Sequence, residues 1–195
     1  TPRFAARLNA FKIGSEAYWP GKNSIQTADI LARAATAGVN AADLNFPDHF
    51  VGESPADLLR ALKYNDIMLN CMAMRYYTEP SYNLGTLTHP NSTVRRAAIE
   101  ETKRGLDVLA EMGGNLMTLW MGQDGFDYSF QMDYKRAWGD TIDAMIEVAD
   151  HNPAIDIALE YKTNEPRSFA LMPNTATNPL AFKETGLGNT GVTLN

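Results

Sequence analysis

The sequence is short of the residues that most often advertise a chemistry. It holds one cysteine, Cys71, so no internal disulfide can form, and a reducing, cytoplasmic setting is the simplest reading of a thiol inside an apolar run. Its three histidines, His49, His89 and His151, are scattered. Acidic residues outnumber basic ones, 23 to 17, for a net charge of −6, which speaks against a surface of clustered Lys and Arg for nucleic acid. No apolar run reaches the ~18 residues of a membrane span. The stretch Thr1-Pro2-Arg3-Phe4-Ala5-Ala6-Arg7 lacks the apolar centre of a secretory signal. No Gly-x-Gly-x-x-Gly follows the first apolar run, which weakens a dinucleotide-binding reading.

What remains is ordinary globular material: 195 residues, 45% hydrophobic and 21% charged, enough to bury a substantial core. The pattern along it alternates. Phe11 to Gly14 reads as a first strand, followed by Tyr18 and Trp19 before a break at Pro20-Gly21. Ser24 is placed to cap a helix carrying Ile25, Ala28, Leu31, Ala32 and Ala35, stopped by Gly38. Val39 to Asn45 predicts strand two. Ser54-Pro55-Ala56-Asp57 opens a second helix with a capping serine, an early proline and an acid three residues on. Ile67 to Met74 predicts strand three. A long connection, Arg75 to Pro90, is rich in Tyr, Gly, Thr and Ser, and connections of that length are often functional.

Thr93 to Met112 is amphipathic, with Val94, Ala98, Leu106, Leu109 and Met112 inward, and ends at Gly113-Gly114. Strand four is expected at Leu116 to Met121. Asp133 caps a helix that closes at Asn152-Pro153. Strand five is Ile155 to Leu159, a helix spans about Thr177 to Glu184, and a last apolar run covers Gly191 to Leu194. Strands alternating with helices imply a parallel sheet buried on both faces. An open doubly wound sheet and a closed eight-stranded barrel both fit such a series. Polar and aromatic residues at every strand end favour the barrel, whose sites lie on the C-terminal rim. The fold class expected is therefore α/β, a (β/α)8 TIM barrel. A whole barrel takes ~250 residues, so this chain is expected to be one domain comprising about the first five and a half β/α units. Activity of these residues alone is then doubtful.

The stretch after strand five stands out. Glu160-Tyr161-Lys162-Thr163-Asn164-Glu165-Pro166-Arg167 puts carboxylates and cations at the end of a buried strand, where charge must be paired or bound to something. A rim salt bridge and a catalytic or metal site are about equally good readings of the spacing itself. Glu165 could line a site or pair with Arg167. Asp124 and Asp127 read as acids at a helix start, and His49 as a surface residue.

Glu160-Tyr161-Lys162-Thr163-Asn164-Glu165-Pro166 and Trp120-Met121-Gly122-Gln123-Asp124-Gly125, both on strand ends, resemble the xylose-isomerase-like barrel family. One strand of that family ends Trp-Gly-Gly-Arg-Glu-Gly and the next Glu-Pro-Lys-Pro-Asn-Glu-Pro. The likeness continues through Leu171-Met172-Pro173 and Leu180-Ala181-Phe182 to Gly191-Val192-Thr193-Leu194-Asn195. It implies that Glu160 is a metal ligand, that Lys162 hydrogen-bonds a substrate carbonyl oxygen, and that Trp120 forms an apolar wall. Trp19 resembles another aromatic of the sugar pocket, and Glu165 falls near a second metal position. The cofactor implied is a divalent metal, Mn, Mg or Co, with Zn as an alternative. The activity implied is that of a sugar isomerase or epimerase, an intramolecular oxidoreductase moving hydrogen between adjacent carbons, by a hydride shift or through an enediol. A lyase or deglycosidase on the same scaffold and a non-catalytic sugar-binding barrel are the other readings. The partners implied are a small sugar and further copies of the chain in a homo-oligomer, with neither nucleic acid nor membrane.

Two departures stand against the family pattern. Xylose-specific members carry a histidine at the end of strand two, where this chain reads Ala41-Ala42-Asp43-Leu44-Asn45-Phe46-Pro47. The next metal ligand falls at about Asn195, an amide where an acid is expected, and a weaker donor.

Overall fold

The computed structural model describes residues 3–12, 19 and 24–193. Six strands lie side by side in one parallel sheet, ordered along it as they occur in the chain. They are β1 (Ala5–Arg7), β2 (Ala41–Phe46), β3 (Met68–Met74), β4 (Leu116–Leu119), β6 (Asp156–Glu160) and β8 (Thr190–Thr193). Two short strands, β5 (Gly125–Phe126) and β7 (Phe169–Ala170), form a separate antiparallel ribbon. Among the described residues, five α-helices fall one in each interval of the sheet: α1 (Thr27–Thr36), α2 (Pro55–Tyr64), α3 (Ser92–Glu111), α4 (Tyr134–His151) and α5 (Thr177–Thr185). A doubly wound sheet reverses its strand order at a switch point. This sheet never reverses, so it is a barrel wall.

The two faces of the wall differ as the alternation of side chains dictates. Ala42, Leu44, Phe46, Met72, Met74, Met117, Leu119, Ile157 and Leu159 point to the helices and share one core with Ile30, Leu31, Leu58, Leu62, Leu106, Leu109, Met145 and Val148. Gly105 lets α3 lie close on this face: a Cβ there would stand 2.9 Å from Met74 Sδ and 3.2 Å from a Phe46 ring carbon. The opposite face carries the intervening residues, among them Arg7, Asp43, Cys71, Ala73, Thr118 and Glu160.

The strands of the parallel sheet and its helices agree with the sequence pattern except at the start, and the β5–β7 ribbon is an addition the sequence pattern does not contain. The first strand is Ala5–Arg7, and Leu8–Phe11 is a 3-10 turn, so the apolar run beginning at Phe11 is not β1. Ile13 and Gly14 lie outside the described residues. Ser24 does not cap α1. Gln26 stands at its N-cap, and the carboxylate of Glu53, reaching over from the β2–α2 connection, accepts from the amides of Thr27 and Ala28. Those first-turn donors need a partner, and a long-range carboxylate provides one. Ser54 and Asp57 do form a capping box on α2, and Asp133 caps α4 by accepting from Arg136 N at 3.0 Å.

Candidate active site

The face of the sheet turned away from the helices is lined by small and polar side chains rather than the bulky branched layers that usually fill a barrel. Arg7, Asp43, Cys71, Thr118, Glu160 and Lys162 border a cavity of about 430 Å³. A bulge sharpens its floor. Ala42 pairs with Leu69 but Asp43 with Cys71, so Asn70 is an extra residue, and its amide donates to Asp43 Oδ1 at 2.7 Å. Cys71 is buried beside Asp43, and burial first, then the Asp43 charge, pushes its thiol up to about 12. It is a neutral wall residue, not a nucleophile.

Glu160 ends β6, and Lys162, two residues on, projects to the same side. Lys162 Nζ makes two contacts: Glu165 Oε2 at 2.9 Å, and the Trp120 ring, whose centroid is 4.9 Å away. Glu165 has φ 79°, the left-handed region rare for a residue with a Cβ, and the chain turns back toward Lys162 there. Glu165, which the sequence left open between lining a site and pairing with Arg167, pairs with Lys162. Trp120 in turn meets Tyr77 edge to face, with centroids 5.0 Å apart.

Arg167 has other work. It donates to Asn83 O at 2.5 Å and Gln123 O at 3.3 Å and pairs with Asp127 Oδ2 at 2.9 Å, tying three rim connections together. Asp127 also accepts from Ser168 N, and these contacts hold its carboxyl below the usual range. Asp124 is buried and accepts from the amides and hydroxyls of both Thr86 and Thr88, including Thr88 N at 2.8 Å. Burial pushes its carboxyl up, against the pull of those bonds. Neither acid starts a helix. Both anchor loops, because their partners stand tens of residues away.

His49 is buried, not a surface residue. Its Nδ1 accepts from Asn45 N at 2.8 Å, so the ring proton sits on Nε2, which donates to Asn9 Oδ1 at 2.7 Å. Burial, then the Arg75 and Lys12 charges, lower its pKa to about 4. Trp19 is half-buried against Arg33, whose guanidinium carbon lies 5.3 Å from its ring, on the face of α1 turned from the core. The structure thus gathers Glu160, Lys162, Glu165 and Trp120 and sets Trp19 elsewhere. Asn195 lies outside the described residues. Tyr77 and Arg75 join the rim without individual signals in the sequence, beyond the aromatic density of the connection that carries them.

A hard divalent cation takes about six oxygen donors. Glu160 is the right kind of donor and faces the cavity. Among the described residues, however, no three His, Cys, Asp or Glu side chains are grouped to hold a metal ion. Glu160 fits as one ligand of such a centre, not as the centre.

A parallel wall with a polar inner face and charged strand ends has the architecture of an α/β barrel, with the candidate site on its C-terminal rim. No family model matches the chain. A probable sugar isomerase of Mesorhizobium japonicum is 32% identical over 108 residues, which cover 54% of this chain and 25% of that protein. A D-psicose 3-epimerase solved in the presence of D-fructose superposes with a TM-score of 0.72 at 18% identity, covering 99% of this chain and 63% of that one. A family 2 AP endonuclease from Brucella melitensis gives 0.74 at 17% identity, covering 100% of this chain and 68% of that one. The chain therefore spans a quarter of the length of the curated relative and under two thirds of the epimerase. These structural likenesses show the fold, that of part of an α/β TIM barrel.

Proposed function

We propose that the chain carries part of the active site of a divalent-metal-dependent sugar isomerase or epimerase. One observation carries this reading: Glu160 and Lys162 face the cavity together at the end of β6, with the Lys162 ammonium over the Trp120 ring. The names borne by the curated relative and by the epimerase neighbours support the same reaction class. The endonuclease neighbour does not redirect it, since a net charge of −6 opposes a nucleic-acid groove.

In this reading Glu160 holds the cation, with Asn195 and donors outside the described residues completing the centre. A divalent metal held there would supply Lewis-acid polarisation of the sugar's oxygens. Lys162 donates a hydrogen bond to the oxygen on which negative charge grows, and its fixed position lets it act without reorganisation. Glu165 neutralises Lys162 before substrate arrives. Trp120 offers a flat apolar face to the C–H side of the sugar and keeps water from the reacting carbons. For an isomerase the net change is hydrogen moved between adjacent carbons, an intramolecular oxidoreduction; for an epimerase a proton leaves one carbon and returns to it on the opposite face. The test is a panel of aldoses and ketoses incubated with the intact protein, with and without chelator. Interconversion that stops on chelation is expected. Cleavage products without isomers, or no turnover at any metal loading, would contradict the proposal.

A further inference from the structure

The Lys162 ammonium stands in a longer line of side chains, next to its Glu165 end. Asp48 Oδ2 faces Arg75 Nε at 3.2 Å, and the Arg75 guanidinium lies over the Tyr77 ring, 4.6 Å from its centroid. Tyr77 meets Trp120 edge to face at an interplanar angle of 66°. Trp120 lies beneath Lys162, and Lys162 pairs with Glu165. The sequence of groups is carboxylate, guanidinium, ring, ring, ammonium, carboxylate. Each contact in it is attractive, and the line crosses from the end of β2 to the end of β6.

The middle of the line decides where its end sits. A lysine ammonium on a flexible four-carbon stem is loosely placed unless something fixes it. Glu165 is an exposed partner on a turn, which gives direction but little rigidity. The Trp120 face gives a plane, and the plane is set by what leans on the ring. Tyr77 leans on it, and Tyr77 is itself held beneath Arg75. The connection that carries Tyr77 is pinned farther along, by Thr86 and Thr88 on Asp124 and by Asn83 O on Arg167. A residue that merely filled the rim would be replaceable by any side chain of similar bulk. An edge-to-face contact is replaceable only by another ring.

We propose that Tyr77, braced by Arg75, is a positioning residue that fixes the plane of Trp120 and through it the Lys162 ammonium. The catalytic meaning of this rests on Lys162 acting at the sugar site, but the placement can be read without turnover. Reductive methylation of the intact protein with carbon-13 formaldehyde labels the lysines and keeps their charge. The Lys162 signal is assigned by its loss in Lys162→Arg, and the Trp120 ring current displaces it upfield. In folded Tyr77→Leu most of that displacement disappears, in Tyr77→Phe it is retained, and in Arg75→Met it shrinks. Folding of each variant is checked by cooperative urea unfolding. An unchanged displacement in Tyr77→Leu overturns the proposal, and so does equal loss in Tyr77→Phe, which would assign the effect to the hydroxyl. If Tyr77→Leu does not fold, an unchanged signal in Arg75→Met overturns it instead. With a turned-over sugar in hand, Tyr77→Leu lowers kcat about tenfold with little change in KM. Undiminished turnover by Lys162→Met would refute the site assignment and leave the ring-current result standing.

Discussion

His49 shows how one side chain carries both a structural and a pH signature. Both ring nitrogens are committed, Nδ1 to the Asn45 amide and Nε2 to Asn9, and a buried ring so bonded has no place for a second proton. Its pKa of about 4 in the fold lies below the ordinary 6.5, so between these values the unfolded chain binds more protons than the folded one. The contribution is complete above about pH 6.5 and is lost as the pH falls toward 4, a span of about 3 kcal/mol. Urea midpoints measured across this window should fall steeply in the wild type. His49→Gln should start lower at pH 7 and fall less. Parallel profiles would refute the assignment. Nothing within a few residues of His49 announces this burial, because Asn9, which accepts the hydrogen bond from its Nε2, is 40 positions away.

Among the elements, the connection between β3 and α3 is poorly legible in sequence yet tied in space to Asp124 and Arg167. Its length and aromatic content mark it as functional, but its anchor, Asp124, reads as an ordinary acid before a helix. The carboxylate is buried with donors from Thr86 and Thr88, and its removal strands those groups. Asp124→Ala should cost about 3 kcal/mol in unfolding free energy and open residues 75–90 to limited proteolysis before the rest of the chain. A variant with wild-type stability and an uncut connection would show that Arg167 alone suffices. The helices and most strands, by contrast, were written plainly. The Ser54–Asp57 cap and the apolar runs of β3 and β6 are local signals, and locality is why they could be read. The first strand failed that test: Ala5-Ala6-Arg7 has neither branched nor aromatic residues, while Phe11, where the sequence pattern starts its first strand, ends a 3-10 turn.

At the scale of the whole molecule, strand order and face alternation turn a series of β/α units into a wall with a greasy side and a polar side. The barrel class and the placement of Glu160, Lys162 and Trp120 followed from strand ends that the sequence marks with charge and tryptophan. Their mutual geometry did not, since Trp120 and Lys162 meet across two strands. Trp19 shows the converse, an aromatic near the first strand that packs on the outside of α1. The central claim is that Glu160 helps hold a divalent cation in the intact protein. Metal content measured by elemental analysis after exhaustive dialysis tests it most directly. Stoichiometric Mn, Mg, Co or Zn in the wild type, lost in a folded Glu160→Gln variant, is the result expected. A wild-type protein that holds no divalent ion, or a Glu160→Gln variant that holds as much as the wild type, would contradict it.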